Sequence, residues 1–373
     1  MKAVVFAYSN MGVTGLEALA RHGFDILGVV THRDDPEEKQ WYASVAAWAE
    51  GRGLPVCRPE DVNAPEWTAR IAALAPEVIF SFYYRKILRS EILALAPAGA
   101  FNLHGSLLPA YRGRVPVNWV LVNGEERTGV TLHWMTARAD AGDIVSQRAV
   151  AIDFDDTAFT LYGKLCREAA LLLDETLPLI RSGRTPRIPQ DHARATCFGR
   201  RKPADGRIDW NRPARRIYDL IRAVADPYPG AFTFLPDGTK MLIWWGLPEP
   251  VAMPPADGGA ALETAPAAAG TPLAFPGKTV PPGQAAVPPS GAGGNREGVL
   301  SGATPDGTEG RDKNGSPGDP PPGLVLVDGR REVYVATGTG RLRLLHVEIA
   351  GKRMSDEEIW QYFRDLGGAI VLG

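Results

Sequence analysis

Cysteine is scarce in this chain, and its placement excludes two architectures. The three cysteines, Cys57, Cys166 and Cys197, are odd in number and far apart, with no Cys-x-x-Cys pair. Neither a disulfide framework nor a zinc site follows from that spacing, whereas free thiols in a reducing cytoplasm do. Net charge is scarce too. The 41 Lys and Arg against 43 Asp and Glu leave −2 at pH 7, so no basic field points to nucleic acid or to an anionic membrane. No apolar run reaches the roughly 18 residues of a membrane span. The opening MKAVVFAYSNMG lacks the apolar core and cleavage site of a secretory signal. These absences predict a cytoplasmic protein with no membrane insertion and no nucleic-acid partner.

What is present is the composition of a globular protein, 45% hydrophobic and 23% charged, in 373 residues, enough for two domains. Short β-rich runs alternate with helical patterns. Strands are predicted at Lys2–Ala7, Ile26–Val30, Val78–Phe82 and Ala100–Leu103, and helices at Val13–Arg21, Ser44–Arg52 and Trp67–Leu74. Strands that are apolar throughout suit a sheet covered on both faces. The fold class expected for residues 1–190 is therefore α/β, a doubly wound and mostly parallel sheet. Two more strands, Val130–Met135 and Ile144–Ile152, flank the polar loop Thr136–Asp143, and a long helix follows at Thr157–Arg181. Beyond Pro186 the pattern changes. A hairpin at Phe232–Leu235 and Lys240–Trp244, and strands at Glu332–Ala336 and Arg341–Ile349, predict a smaller β-barrel domain over 205–373. Its last helix starts at the capping-box pattern Ser355–Glu358. Residues 253–322 are rich in Pro, Gly, Ala and Thr without a period, which predicts a disordered insertion.

The chemistry-bearing residues cluster at one strand end. FNLHGSLLPAYRGRVPVNWV places Asn102 and His104 where an apolar run stops, and open α/β sheets bind ligands outside the carboxyl ends of their strands. Alone, such a pair is more often a turn device than a site. Pro109 and Gly113 turn the loop, and Arg112 and Arg114 offer planar donors to an anionic ligand. Asp140, in the loop ADAGD, adds a carboxylate that would orient an imidazole and raise its pKa. Amide, imidazole and carboxylate are the parts of an acyl-transfer site that has no enzyme nucleophile. Phe82, Tyr83 and Tyr84, followed by Arg85 and Lys86, either line a pocket for a flat anionic cofactor or pack a loop. The loop Ser9-Asn10-Met11-Gly12 does not fit G-x-G-x-x-G, so nicotinamide binding has little support.

FNLHGSLLPAYRGRVPVNW and TGVTLHWMTARADAGDIV resemble the folate-dependent formyltransferases. The resemblance extends through VVFAY, THRDDPEEKQWYASVA, VIFSFYYR, ATCFGRR and AVADPYPGAF. It runs furthest with the formyltransferases of UDP-4-amino-4-deoxy-L-arabinose, which serve lipid A modification and polymyxin resistance. It is close over 1–245 and loose over the C-terminal strands. It implies that Asn102 stabilises an oxyanion, that His104 relays the amine proton, and that Asp140 holds the imidazole. The implied donor is 10-formyltetrahydrofolate, bound along Lys86, Ile87, Leu88, Arg114, Thr136, Ala137, Arg138, Ala139 and Asp140, with no metal. The implied acceptor is a UDP-amino sugar, and the implied second domain is an open, OB-like barrel. Relatives in that branch carry a decarboxylase domain after the formyltransferase. The chain ends at Gly373, so the expectation is a stand-alone enzyme, with a decarboxylase on a separate chain, or a piece of a longer one. Another amino-sugar nucleotide, methionyl-tRNA, water as acceptor, and a non-catalytic sensor stay open at this point.

Overall fold

The computed structural model describes residues 1–33, 40–249 and 320–373. The insertion expected at 253–322 therefore lies outside the described residues except for 320–322. Strand β1 (Lys2–Ala7) is buried from Ala3 onward, as its unbroken apolar run requires of a central strand. The chain continues through α1 (Ser9–Arg21), β2 (Asp25–Val30), α2 (Val45–Glu50), β3 (Val56–Cys57), α3 (Pro65–Ala73), β4 (Val78–Phe82), α4 (Ser90–Leu93) and β5 (Ala100–His104). After β6 (Arg112–Gly113) and α5 (Pro116–Val122) come β7 (Arg127–Trp134), β8 (Ile144–Ala151) and α6 (Ala158–Arg181). The sheet runs β3-β2-β1-β4-β5-β7-β8. Its first five strands are parallel, and β7 and β8 join antiparallel. The doubly wound expectation holds, with an antiparallel edge.

One local expectation needs correction. Helix α1 starts at Ser9, not at Val13, so the segment read as a loop is the buried first turn of a helix. Its glycines serve close packing. A Cβ on Gly15 would lie 2.2 Å from Phe82 Cδ2, and one on Gly12 would lie 2.8 Å from Val45 Cγ2.

The segment after α6 crosses back over the first domain, where β9 (Cys197–Phe198) pairs in parallel with β6. Helix α7 (Ala214–Val224) follows and was not anticipated, although Ile217, Tyr218, Ile221 and Val224 form one buried face. Strands β10 (Ala231–Phe234), β11 (Lys240–Glu249), β12 (Val325–Val327), β13 (Val333–Ala336), β14 (Arg341–Ile349) and β15 (Lys352–Met354) precede α8 (Asp356–Leu366). They form an antiparallel sheet ordered β10-β11-β14-β13-β12, with β15 on β14. Residues 370–373 join its two edges. Phe234 N donates to Gly373 O (3.1 Å), and Val325 N donates to Ile370 O (2.8 Å). The sheet thus curls into a small barrel, and Ile359 and Phe363 of α8 are buried with its core.

Helix α7 fastens the barrel to the first domain. Asn118 Nδ2 donates to Ala223 O (2.7 Å), and Tyr218 Oη donates to Phe154 O (2.5 Å). Arg222, 1% exposed, pairs with Asp219 at 2.8 Å and donates to Asp153 O at 3.1 Å. No helix among the described residues is long and apolar enough to cross a membrane.

Candidate active site

The site is built on one face of two antiparallel strands. Side chains two residues apart on a strand share a face, so Asn102 and His104 project together from β5. Register places His133 of β7 directly opposite Asn102, and Thr131 opposite His104. Two loops close over this patch. One, residues 105–115, is held where Thr131 Oγ1 donates to Ser106 O (2.6 Å) and accepts from Leu108 N (3.2 Å). The other, 136–143, brings in Asp140.

Hydrogen-bond partners fix the orientation of each group. His104 Nε2 lies 2.8 Å from Tyr111 O. A carbonyl only accepts, so Nε2 carries the proton and the lone pair of the neutral ring is on Nδ1. That atom faces Asp140 Oδ1 at 3.6 Å. His133 Nδ1 lies 2.8 Å from Trp134 O, which by the same reasoning leaves a lone pair on Nε2. This lone pair accepts from Asn102 Nδ2 (3.0 Å), whose other proton goes to Asp140 Oδ1 (3.3 Å). Both partners are acceptors, so the amide presents its NH2 end to the site. Asp140 Oδ2 accepts from Gly113 N at 2.9 Å. Burial by itself would raise the Asp140 pKa; the His104 and His133 rings in their protonated form, and the Gly113 N–H, outweigh it and hold the carboxyl well below the usual carboxylate range.

The three residues expected to act together, Asn102, His104 and Asp140, are thus gathered around one carboxylate oxygen. Arg114 is exposed and donates to Arg85 O (3.3 Å), tying its loop to the segment that leaves β4. On that segment Lys86 Nζ donates to Pro59 O (3.3 Å), and Ile87 is exposed with its carbonyl on Asn63 Nδ2 (2.9 Å). The Leu88 side chain is buried in the smaller core with Phe6 and Ile79, so only its backbone is left to meet a ligand. Thr136, Ala137, Arg138 and Ala139 form the exposed crest of the second loop, where Thr136 Oγ1 donates to Arg138 O (2.9 Å).

Arg112 departs from its expected role as an anion donor. The β6–β9 pairing draws it inside, where it is 2% exposed and donates to Gln190 and His192. Tyr83 and Tyr84 pack: Tyr84 stacks on His32 at 4.3 Å, and the Tyr83 hydroxyl rests where Gly105 has no Cβ. His133 escaped the sequence reading. Its signal was there in TLHW, but it becomes a site residue only once β7 is set antiparallel to β5.

Residues 1–177 match the model of the formyl transferase family, and residues 200–262 match that of the formyl transferase C-terminal domain. The chain belongs to the formyl transferase family. Solved structures share its fold. A sugar N-formyltransferase from Shewanella is 21% identical, over 66% of this chain and 97% of that one, with a TM-score of 0.53. The N-formyltransferase of Helicobacter canadensis, in complex with folinic acid and dTDP-3-aminofucose, is 20% identical over 65% and 95%, with a TM-score of 0.50. HypX from Aquifex aeolicus is 16% identical over 98% of this chain, with a TM-score of 0.52, and this chain spans 48% of it.

Proposed function

We propose that this formyltransferase moves the formyl group of 10-formyltetrahydrofolate to the amine of a nucleotide sugar, and that the acceptor is UDP-4-amino-4-deoxy-L-arabinose. The observation that carries the chemistry is the convergence of the Asn102 amide and the His104 lone pair on one Asp140 oxygen, at 3.3 and 3.6 Å. The amine nitrogen attacks the formyl carbon and a C–N bond forms. The formyl oxygen gains charge and takes the Asn102 N–H that otherwise goes to Asp140 Oδ1, as an oxyanion donor does. The amine proton passes to His104 Nδ1, and the imidazolium so formed faces the Asp140 carboxylate. Collapse breaks the bond from the formyl carbon to N10 of the folate, and N10 receives the proton. The donor would lie along Lys86–Leu88, Arg114 and the 136–140 loop. The sugar-nucleotide acceptor draws support from the sequence motifs and from the Helicobacter canadensis enzyme, whose structure holds folinic acid and an amino-sugar nucleotide.

The test is incubation with 10-formyltetrahydrofolate and UDP-4-amino-4-deoxy-L-arabinose, followed by mass spectrometry. A product heavier by one CO is expected, and His104→Ala should slow its formation by about 10²–10⁴. Product from a dTDP-amino sugar alone would overturn the acceptor. Formate release that needs no amine would overturn transfer itself.

A further inference from the structure

The segment joining the two domains packs against the strands and loops that carry the site. It runs along the site, with Pro186 O on Trp134 Nε1 (2.9 Å), Ile188 bridged to Ile144, and Thr196 O on Arg112 N (2.9 Å). Gln190 sits in its middle, 7% exposed, between the two stretches that match the family models. Its Nε2 donates to Asp140 O (2.9 Å) and to Gly142 O (2.6 Å). Its Oε1 accepts from Arg112 Nη2 at 2.6 Å. The amide orientation is unambiguous, since the carbonyls only accept and the guanidinium only donates.

Asp140 needs such a hold. Its φ is +51°, a left-handed conformation that a non-glycine residue keeps only when its surroundings impose it. Two residues on, a Cβ at Gly142 would lie 2.0 Å from Trp134 O, so the loop is pressed against β7 as Gln190 draws in its carbonyls. Arg112 in turn fixes Gln190. It is a buried cation whose Nε and Nη1 have no hydrogen-bond partner, and its Nη2 is shared between Gln190 and His192 Nδ1 (2.9 Å).

We infer that Gln190, oriented by the buried Arg112, is a positioning residue: it clamps the backbone of the Asp140 loop and so sets the Asp140 carboxylate against His104 and Asn102. This inference rests on the formyl-transfer reading for its catalytic consequence, but its structural content stands apart.

Gln190→Glu separates positioning from folding. The introduced carboxylate gives Arg112 a charged partner but cannot donate to the two carbonyls. The protein is assayed where urea unfolding shows it folded, because the two carbonyls lose their donor, and turnover there should fall by about 10²-fold, the cost of misplacing a reacting group by an ångström. Gln190→Met, uncharged and of similar volume, gives the readout that needs no substrate. Asp140, followed by carboxyl NMR through an acid titration, should move up toward the ordinary carboxylate range as it leaves the imidazoles. Wild-type turnover in Gln190→Glu, or an unmoved Asp140 titration in Gln190→Met, would overturn the inference. A wild-type protein that formylates no amine would instead overturn the functional reading, and the Asp140 titration would still decide the role of Gln190.

Discussion

His133 Nε2 lies 3.0 Å from Asn102 Nδ2 and 3.5 Å from Asp140 Oδ1, and its action on the reaction through the closer amide can be tested quantitatively. The Asn102 NH2 is held by two acceptors, His133 Nε2 at 3.0 Å and Asp140 Oδ1 at 3.3 Å. Turning the amide over would set its carbonyl oxygen against a lone pair and a carboxylate. His133→Leu removes the shorter restraint, a hydrogen bond worth about 0.5–1.5 kcal/mol net. At about 1.4 kcal/mol per factor of ten in rate, turnover should fall up to about tenfold as the amide loses its orientation. The ceiling is the loss of the donor itself, about 10²–10³ for Asn102→Ala. Formyl transfer is measured for wild type, both single variants and the double variant, at a temperature where urea unfolding shows all four folded. That control matters because Trp134 O loses the His133 Nδ1 proton and the fold weakens by about 1–3 kcal/mol. If His133 acts only through Asn102, the double variant is no slower than Asn102→Ala. A double variant slower by the full His133→Leu factor would refute the reasoning, because His133 would then act on the reaction by another route.

Three further outcomes follow from the geometry. Asp140 has its carboxyl pKa depressed in the folded state, so its contribution to stability is complete above the ordinary value of 3.8 and is lost as pH falls through the lower folded value; urea unfolding of Asp140→Asn should therefore be less acid-sensitive below that pH than wild type, and equal slopes would contradict this. Gly105→Ala puts a Cβ 1.9 Å from the Tyr83 hydroxyl oxygen, and overpacking of this kind should cost about 1–3 kcal/mol in urea unfolding. Arg222→Met strands Asp219 at the domain junction with only the half-exposed Arg215 at 3.3 Å, a loss of about 3 kcal/mol. Adding Asp219→Leu should recover much of that loss, and no recovery would show that the carbonyl contacts of Arg222, not its charge pairing, hold the junction.

Much of this was legible before any coordinates. Apolar strands separated by helical stretches specify a doubly wound sheet, and the two-residue spacing of Asn102 and His104 puts them on one face. The polar loop between two strands was enough to nominate Asp140. What was not legible depends on pairings between distant segments. His133 gains meaning only from the antiparallel register of β5 and β7, and the same register turns Thr131 toward the first loop. Gln190 sits in an irregular segment whose residues have no period to mark which of them face inward. Arg112 and Arg114 look alike in sequence, and only the β6–β9 bridge buries one and exposes the other. Helix α7 was readable from Ile217, Tyr218, Ile221 and Val224, apolar positions spaced to share one helical face.

Backbone strain accompanies the site without being confined to it. Of the eight non-glycine residues with positive φ among the described residues, four, Tyr83, Tyr111, Val115 and Asp140 at 48° to 59°, stand on a strand exit or loop that borders the site. Left-handed backbone costs a non-glycine residue about 1–3 kcal/mol, so each conformation must be imposed by its contacts. For two of the four the contacts are explicit. Tyr111 has its N–H on Thr196 Oγ1 (2.8 Å), its carbonyl on His104 Nε2 (2.8 Å) and its hydroxyl on Glu125 (2.5 Å). Asp140 has its carbonyl on Gln190 and its carboxylate on Gly113 N. In both, the strained residue faces a ring nitrogen of His104: Tyr111 O accepts the Nε2 proton, and Asp140 Oδ1 stands beside Nδ1, where the imidazolium proton would sit. Relaxing the Tyr111 backbone would free the imidazole to carry its proton on Nδ1, facing the Asp140 carboxylate, and such a ring has no lone pair for the amine proton. The strain is thus tied to the one proton position on which the proposed reaction depends.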